Sequence, residues 1–450
     1  MRRPSVRSLA GGAAGIVIGV AAGAAIAAVS AAGPPAVPIG PALIDAAHVP
    51  PLLRLPGETV RLRYSLVCTP RGDGRPCAGS GSVYARAGGA DFRPLPLARD
   101  EDSKDGRYYA DVTPDIAGSP DGFAYYAVLR DDVTGARVTV PSGGAAAPHE
   151  SLTLRAPVTI ELGPHPFGDT RAPSAKVVEA AWGSDPDDVG LAGSRELGFS
   201  GPPSFDVGPD GVVDVLDPIN RRVVRWRQHH VDDIPLDVPP GLSDFTAAAD
   251  GGFDVLEPAG VLRHFRADGR PAWSQKLADR TWARLDHGPR GPVVFQDPAE
   301  QWLPAADASL PLSRSAQAHA AQNGRPLANG HELLVDRVGV SELRIAETAG
   351  RSILRSWRIT SATPLGEVQL AEPEGNRVVV VTRAYTDDRD EFLVLVLDRD
   401  GLAARFAVDS ASFTETAPLA RFRLASGALY RLRTTPAGMS IDRFDLEVPR

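Results

Sequence analysis

Sulfur is scarce in this chain. Its 450 residues include two cysteines, Cys68 and Cys77, and two methionines. Two cysteines do not make a four-ligand zinc site, and no further ligand cluster flanks them. The residues between them, Thr69 to Pro76, are turn formers. In an oxidising compartment their simplest state is a local disulfide that pins this loop. An excess of basic charge is also missing. Lys plus Arg number 48 against 56 acidic residues, giving a net charge of −8, so a general nucleic-acid partner is excluded. The motifs GxSxG, HExxH and CxxC are absent, which removes the hydrolase, metalloprotease and thiol-redox chemistries that announce themselves locally. No residue is assigned a catalytic role. The 45 glycines and 41 prolines show no triplet period. That excludes collagen and points to many turns between short strands.

The N-terminus reads as a targeting segment. Met1 to Arg7 is short and basic, and an uncharged Ala/Gly/Val/Ile run continues to about Ala32. Residues 1–32 are therefore a signal peptide or, if uncleaved, a membrane anchor; both place the rest outside the cytoplasm, secreted or in the cell envelope. Residues 33–50 read as a Pro-rich linker, extended and unsuited to sheet pairing.

From 51 to 157 the pattern alternates. Val60, Leu62, Tyr64 and Leu66 share one face of a half-buried strand. Further short strands, each bounded by turn residues, are predicted at Gly81–Ala87, Asp91–Leu97, Arg107–Val112, Phe123–Arg130, Arg137–Pro141 and Ser151–Leu154. Seven strands in about 100 residues predict an immunoglobulin-like sandwich. The stretches GRYYADVTP and FAYYAVLRDDVTG resemble the later strands of bacterial Ig-like domains. The aromatic cluster Tyr108, Tyr109, Phe123, Tyr125 and Tyr126 is expected to divide between a core and a sheet face. Residues 158–173 read as a second linker.

The remainder has no convincing helix but has a period. A turn residue followed by an apolar strand recurs at Gly211, Gly251, Gly291, Gly330, Asn376 and Gly427, at spacings of 40, 40, 39, 46 and 51 residues. Such a period, with several strands per unit, predicts β-propeller blades. The longer fifth unit contains a polar insert, Ala384 to Glu391. The last unit has only three strands of its own, and Ala175–Trp182 has no blade. That strand is expected to pair beside Ser440–Val448, closing a six-bladed ring over 174–450 and removing free edges. The first unit, with Asp217, Asn220, Arg222 and Val223 in the stretch LDPINRRVVRW, resembles the signature of NHL repeats. The resemblance implies a propeller used as a binding platform, with some enzymes among its members.

Several constellations are candidates for chemistry. Six residues beyond each turn position stand Asp217, Glu257, Asp297, Asp336, Thr382 and Arg433. Equivalent positions in a ring gather on one face, so the four carboxylates are candidates for a ligand-binding arc. The alternative is that each caps its own turn. Asp185, Asp187 and Glu196 nearly fit a calcium loop, but Val189 fills a ligand position and flanking helices are lacking. A solvated turn is the simpler reading, and no cofactor beyond calcium is suggested. His229 and His230 with Asp232 and Asp233 could form a metal cluster, but adjacent strand residues point to opposite faces.

The sequence therefore predicts an all-β chain: an immunoglobulin-like sandwich followed by a six-bladed β-propeller closed by an N-terminal strand. It predicts an exported, non-catalytic binding or interaction scaffold, with a protein or small ligand at the propeller face. Nucleic acid is not expected, and membrane contact only through an uncleaved N-terminal segment. The alternative is a secreted hydrolase or lyase with its site at the channel mouth.

Overall fold

In the computed structural model the described residues are 43–69, 78–100, 106–228, 230–239, 243–277, 283–296, 301–305, 316–317 and 320–446. The targeting segment, Cys77, His229 and Asp297 lie outside them, and so does the Cys68–Cys77 pairing. Nearly every described element is a strand. No helix among the described residues is long and apolar enough to cross a membrane.

Residues 43–154 form two sheets. One orders Leu43–Ala47, Val60–Thr69, Arg107–Val112 and Ala98–Arg99. The other is built around Phe123–Asp131, which pairs with Gly79–Ala87, His149–Thr153 and Arg137–Val140. Period-two alternation buries Leu62, Tyr64 and Leu66 from the first sheet against Val83, Phe123 and Tyr125 from the second, in one shared core. The aromatic cluster divides as expected. Tyr108, Phe123 and Tyr125 are buried, while Tyr126 stacks on Tyr84 outside the core and Tyr109 carries the Arg61 guanidinium. The Pro-rich reading of 33–50 needs correcting at Leu43–Ala47. This run is free of Pro and Gly, and it pairs antiparallel with Val60–Thr69.

Beyond residue 200, the described residues form six consecutive sheets, preceded by a small two-stranded sheet of Ala192–Ser194 and Gly198–Ser200. Their first strands are Ser204–Val207, Asp244–Ala247, Ala283–Gly288, Arg325–Pro326, Leu365–Glu374 and Phe422–Ala425. The first sheet meets the second, and the second the third, through these strands. The third meets the fourth at Gln301–Pro304, and the fourth meets the fifth through Glu332–Val338. The fifth touches the sixth, and the sixth returns to the first, so the cycle closes. The recurring turns have a backbone reason: Gly211, Gly251, Gly330 and Gly427 lie at φ 79°, 83°, 78° and 74°, a region costly for side chains with a Cβ.

Ala175–Ala181 pairs antiparallel with Gly438–Asp445, so the two ends of the cycle share the sixth sheet. The approach is close: a Cβ on Gly438 would lie 2.0 Å from the Ala180 carbonyl oxygen. The polar insert of the fifth sheet extends both flanking strands around a short turn at 386–389. Arg377–Tyr385 and Asp390–Asp398 pair as far as Tyr385 opposite Asp390, so the insert is a hairpin extension of two long strands.

The linker reading of 158–173 is also corrected. Val158–Glu161 adds in parallel to Ser352–Thr360, as the fifth strand of the fourth sheet. His165 Nε2 lies 2.7 Å from Glu391 Oε2, and the Gly168 amide bonds Glu391 Oε1. Thr170 bridges Ala407 and the Arg171 amide bonds its oxygen. The segment is thus a strap across the fourth and fifth sheets that delivers the chain to the sixth.

The two-sheet unit is fastened to the fourth sheet. Leu52, Leu53, Leu152 and Leu154 share a core with Leu334 and Ala346. Arg344 pairs with Glu58 at 2.5 Å.

Candidate functional site at the centre of the sheet cycle

The inner strands bring together a charge cluster whose members come one from each sheet: Asp206, Asp244, Asp286, Arg325, Glu372 and Arg423. Arg423 spans the centre. Its Nε donates to the Phe205 carbonyl at 3.0 Å, and Nη2 to the Phe245 carbonyl at 3.0 Å. Nη1 reaches the Leu285 carbonyl at 3.4 Å and Asp286 Oδ1 at 3.2 Å. One side chain of the sixth sheet therefore stitches the first three. Arg325 does the same on the other side, holding Asp286 at 3.2 Å and Glu372 at 2.8 Å.

The carboxylates are equally occupied. Asp206 accepts from the Ala247 amide and meets His287 Nε2 at 2.7 Å. Asp244 accepts from Ser204 Oγ at 2.6 Å and from the Leu285 amide at 2.6 Å. Burial alone would raise the Asp206 carboxyl, but His287, Arg423 and the Ala247 amide override it and hold it at about 2. Asp286 is pulled down in the same way by Arg325 and Arg423 against its burial. Burial wins at Asp244 and Glu372, whose pKa values are raised despite Arg423 and Arg325 respectively. Asp206 in turn raises His287 by its charge.

Five members of this cluster, Asp244, Asp286, Arg325, Glu372 and Arg423, form the charged floor of a cavity of about 340 Å³. Its walls are largely apolar and aromatic, with Leu285, Leu333, Val335 and Leu370 beside Phe295 and Trp302. Phe295 and Trp302 have ring centroids 4.9 Å apart. Arg284 lies over Phe295 at 4.9 Å and Arg325 over Trp302 at 5.8 Å. Arg284, Arg337 and Glu367 add charge to the lining, and Val49 and Leu52 bring the two-sheet unit into it. Such a cavity can hold an apolar body and orient it by a charged group.

Three of the four carboxylates expected to form an arc, Asp217, Glu257 and Asp336, are spent elsewhere. Asp217 is fully buried and caps its own turn. Its oxygens accept from the Asn220 side chain at 2.7 Å and the Gly190 amide at 3.0 Å, and Arg222 lies at 3.3 Å. Glu257 pairs with Arg263 at 2.7 Å. Asp336 accepts the Leu53 amide at 2.8 Å, anchoring the two-sheet unit. Burial pushes its carboxyl up to about 6, against the pull of that amide and of Arg344. No two of these three share a hydrogen bond or ion pair among the described residues, and Asp297 lies outside them. At the equivalent positions, Thr382 bonds the Gly366 carbonyl and Arg433 lies 3.9 Å from Asp409.

At the loop of Asp185, Asp187 and Glu196, the Asp185 and Asp188 carbonyls accept from the Arg222 guanidinium at 2.8 and 3.0 Å. A cation placed there would face that positive charge. No group of three or more metal-ligating side chains is gathered among the described residues. His230 pairs with Asp232 at 2.8 Å on the surface, while Asp233 turns to Arg222 at 2.7 Å.

Sequence reasoning missed the central cluster, although a signal was present. Each member stands four to seven residues before its turn residue, as Asp206 does before Gly211 and Arg423 before Gly427. The cluster lies on the first strand of each sheet, before the turn, whereas the candidate carboxylates Asp217, Glu257 and Asp336 lie on the second strand, after it.

No protein-family model matches this chain, and no curated protein matches it. Solved structures similar to it include β-propeller proteins. BamB from Moraxella catarrhalis is 11% identical, with a TM-score of 0.29 over 60% of this chain and 99% of that one. Virginiamycin B lyase from Staphylococcus aureus is 12% identical, with a TM-score of 0.25 over 55% of this chain and 85% of that one. A protein of unknown function from Bacteroides caccae is 12% identical, with a TM-score of 0.34 over 48% of this chain and 85% of that one.

Proposed function

We propose that this chain is an exported, non-catalytic binding or scaffold protein, in which an immunoglobulin-like sandwich is joined to a six-bladed, NHL-like β-propeller. The six-sheet cycle and its shared closing sheet support the propeller, and the common core of two facing sheets supports the sandwich. The capped turn of Asp217, Asn220 and Arg222 is in keeping with the NHL resemblance. Export rests on the basic and apolar pattern of residues 1–32. No cofactor is assigned.

One observation carries the binding reading. The charged floor of the central cavity is saturated by its own pairs, while its walls offer apolar and aromatic surface edged by Arg284, Arg337 and Glu367. The ligand is a small amphipathic molecule, or a protein segment with an apolar side chain beside a charge. The test is a thermal-shift and tryptophan-fluorescence screen against short apolar peptides and aromatic acids and amines, with and without calcium. A binder should lose its signal in Trp302→Phe and its affinity in Arg284→Ala. If no probe binds, or if both variants bind like the wild type, the cavity is not the site.

The buried carboxyls of Glu372 and Asp244, whose pKa values burial raises, favour one second reading, a hydrolase or lyase in which one of them serves as general acid. In that case a bound probe is converted, and Glu372→Gln abolishes turnover while leaving binding. In the scaffold reading every bound probe is recovered unchanged.

A further inference from the structure

A second cleft, of about 540 Å³, lies on the outside of the fourth sheet where the two-sheet unit abuts it. Four guanidiniums line it, those of Arg155, Arg351, Arg355 and Arg399, against one carboxylate, Asp121. This basic concentration sits on a chain whose net charge is −8. Arg155 meets Asp121 at 3.1 Å with both side chains exposed, and Arg399 is exposed with no described partner. Arg351 and Arg355 are engaged with Glu150 and Glu347.

The cleft also contains an unfinished sheet edge. Ser352–Thr360 is paired along its inner side by Glu342–Ala349. On its outer side Val158–Glu161 covers only Trp357–Thr360. Pro157 precedes Val158, and a proline has no amide hydrogen with which to extend the ladder. Ser352 to Ser356 therefore face the cleft with no strand beside them. The outer strands of the first two sheets, His230–Pro235 and Pro271–Lys276, each carry a proline that blunts pairing, and the first adds Asp232 and Asp233. Ser-Ile-Leu-Arg-Ser has no proline and one charge, and its Leu354 is 50% exposed.

We propose that this edge, separate from the central cavity, accepts an acidic, extended peptide segment of a partner protein as an added strand. Main-chain bonds to Ser352–Ser356 would supply affinity, and the arginines would select carboxylate side chains. Leu354 would meet an apolar residue on the peptide face turned toward it.

The test uses the full chain and three fluorescent octapeptides: alternating Glu and Val, alternating Lys and Val, and the Glu/Val peptide with one central proline. The Glu/Val peptide should bind by anisotropy. The Lys/Val and proline peptides should each bind at least about tenfold more weakly. The double variant Arg155→Glu/Arg399→Glu, placed on exposed side chains to spare the fold, should weaken the Glu/Val peptide at least about tenfold. Absence of Glu/Val binding overturns the proposal, as does equal binding of the proline peptide, which would show that charge alone is read. Self-association of the chain that Arg399→Glu abolishes would assign the edge to a second copy and overturn it as well.

Discussion

Acid should loosen the two-sheet unit before it loosens the six-sheet cycle, because two neutral histidines are sealed in the former. His48 Nδ1 lies 2.7 Å from the Arg63 carbonyl oxygen and Nε2 lies 2.8 Å from the Tyr125 hydroxyl. Its ring stacks on Tyr64 at 4.3 Å and lies 5.6 Å from His149. Burial lowers His48 from 6.5 to about 4, although the Arg63 carbonyl pulls upward. Burial, then the neighbouring His48 charge, lowers His149 to about 3. The folded state thus binds fewer protons than the unfolded chain. Stability is full above pH 6.5 and falls as the pH drops toward these lowered values. At pH 5 each histidine costs about 2 kcal/mol relative to pH 8. The pair costs about 3–4, since their mutual repulsion is shared. The assay follows from the sequence: all six tryptophans lie at or beyond Trp182, and six of the eight tyrosines lie between Tyr64 and Tyr126. Urea unfolding at pH 8 and pH 5, followed separately by tyrosine and tryptophan signals, should show the tyrosine midpoint falling further. His48→Phe/His149→Phe will lower stability at both pH values by removing buried hydrogen bonds, but it should abolish the difference between them. An unchanged pH difference in that variant would refute the reasoning.

Further outcomes follow from other buried contacts. Arg423→Ala should destabilise the six-sheet cycle by about 3–5 kcal/mol, the usual cost of leaving buried carboxylates without their partner, read as a shift in the tryptophan-monitored urea midpoint. Gly438→Val should prevent Ala175–Ala181 from docking, seen as faster amide exchange in 175–181 and 438–445. Asp336, with its carboxyl raised to about 6, should contribute stability below pH 3.8 that is lost as the pH rises through 6, about 3 kcal/mol in all. Asp336→Asn should remove this pH dependence from the melting temperature.

What the sequence made legible was whatever repeats or alternates. Alternation in Val60–Leu66 and the Gly-led turns located most strands, because both signals are local. The closing role of Ala175–Ala181 was legible by subtraction, since the last unit lacked a strand and this one had no partner. Other features depend on distant partners. Leu43–Ala47 hides in a Pro-rich context. The strap around His165 and Gly168 pairs with strands some 200 residues away in sequence, with no pattern of its own to reveal it. The acidic positions share a register but not an environment: Asp217 caps a turn, whereas Asp336 holds the Leu53 amide. The central cluster mixes Asp, Glu and Arg at uneven offsets, so no single residue type marks it.

The most direct measurement is a crystal structure of residues 33–450 grown with a ligand from the screen. The expected result is six sheets closed by Ala175–Ala181 beside Gly438–Asp445, Arg423 bonded to the carbonyls of Phe205, Phe245 and Leu285, and the ligand against Phe295 and Trp302. Seven sheets, an Arg423 turned to solvent, or a ligand seated away from that cavity would contradict it.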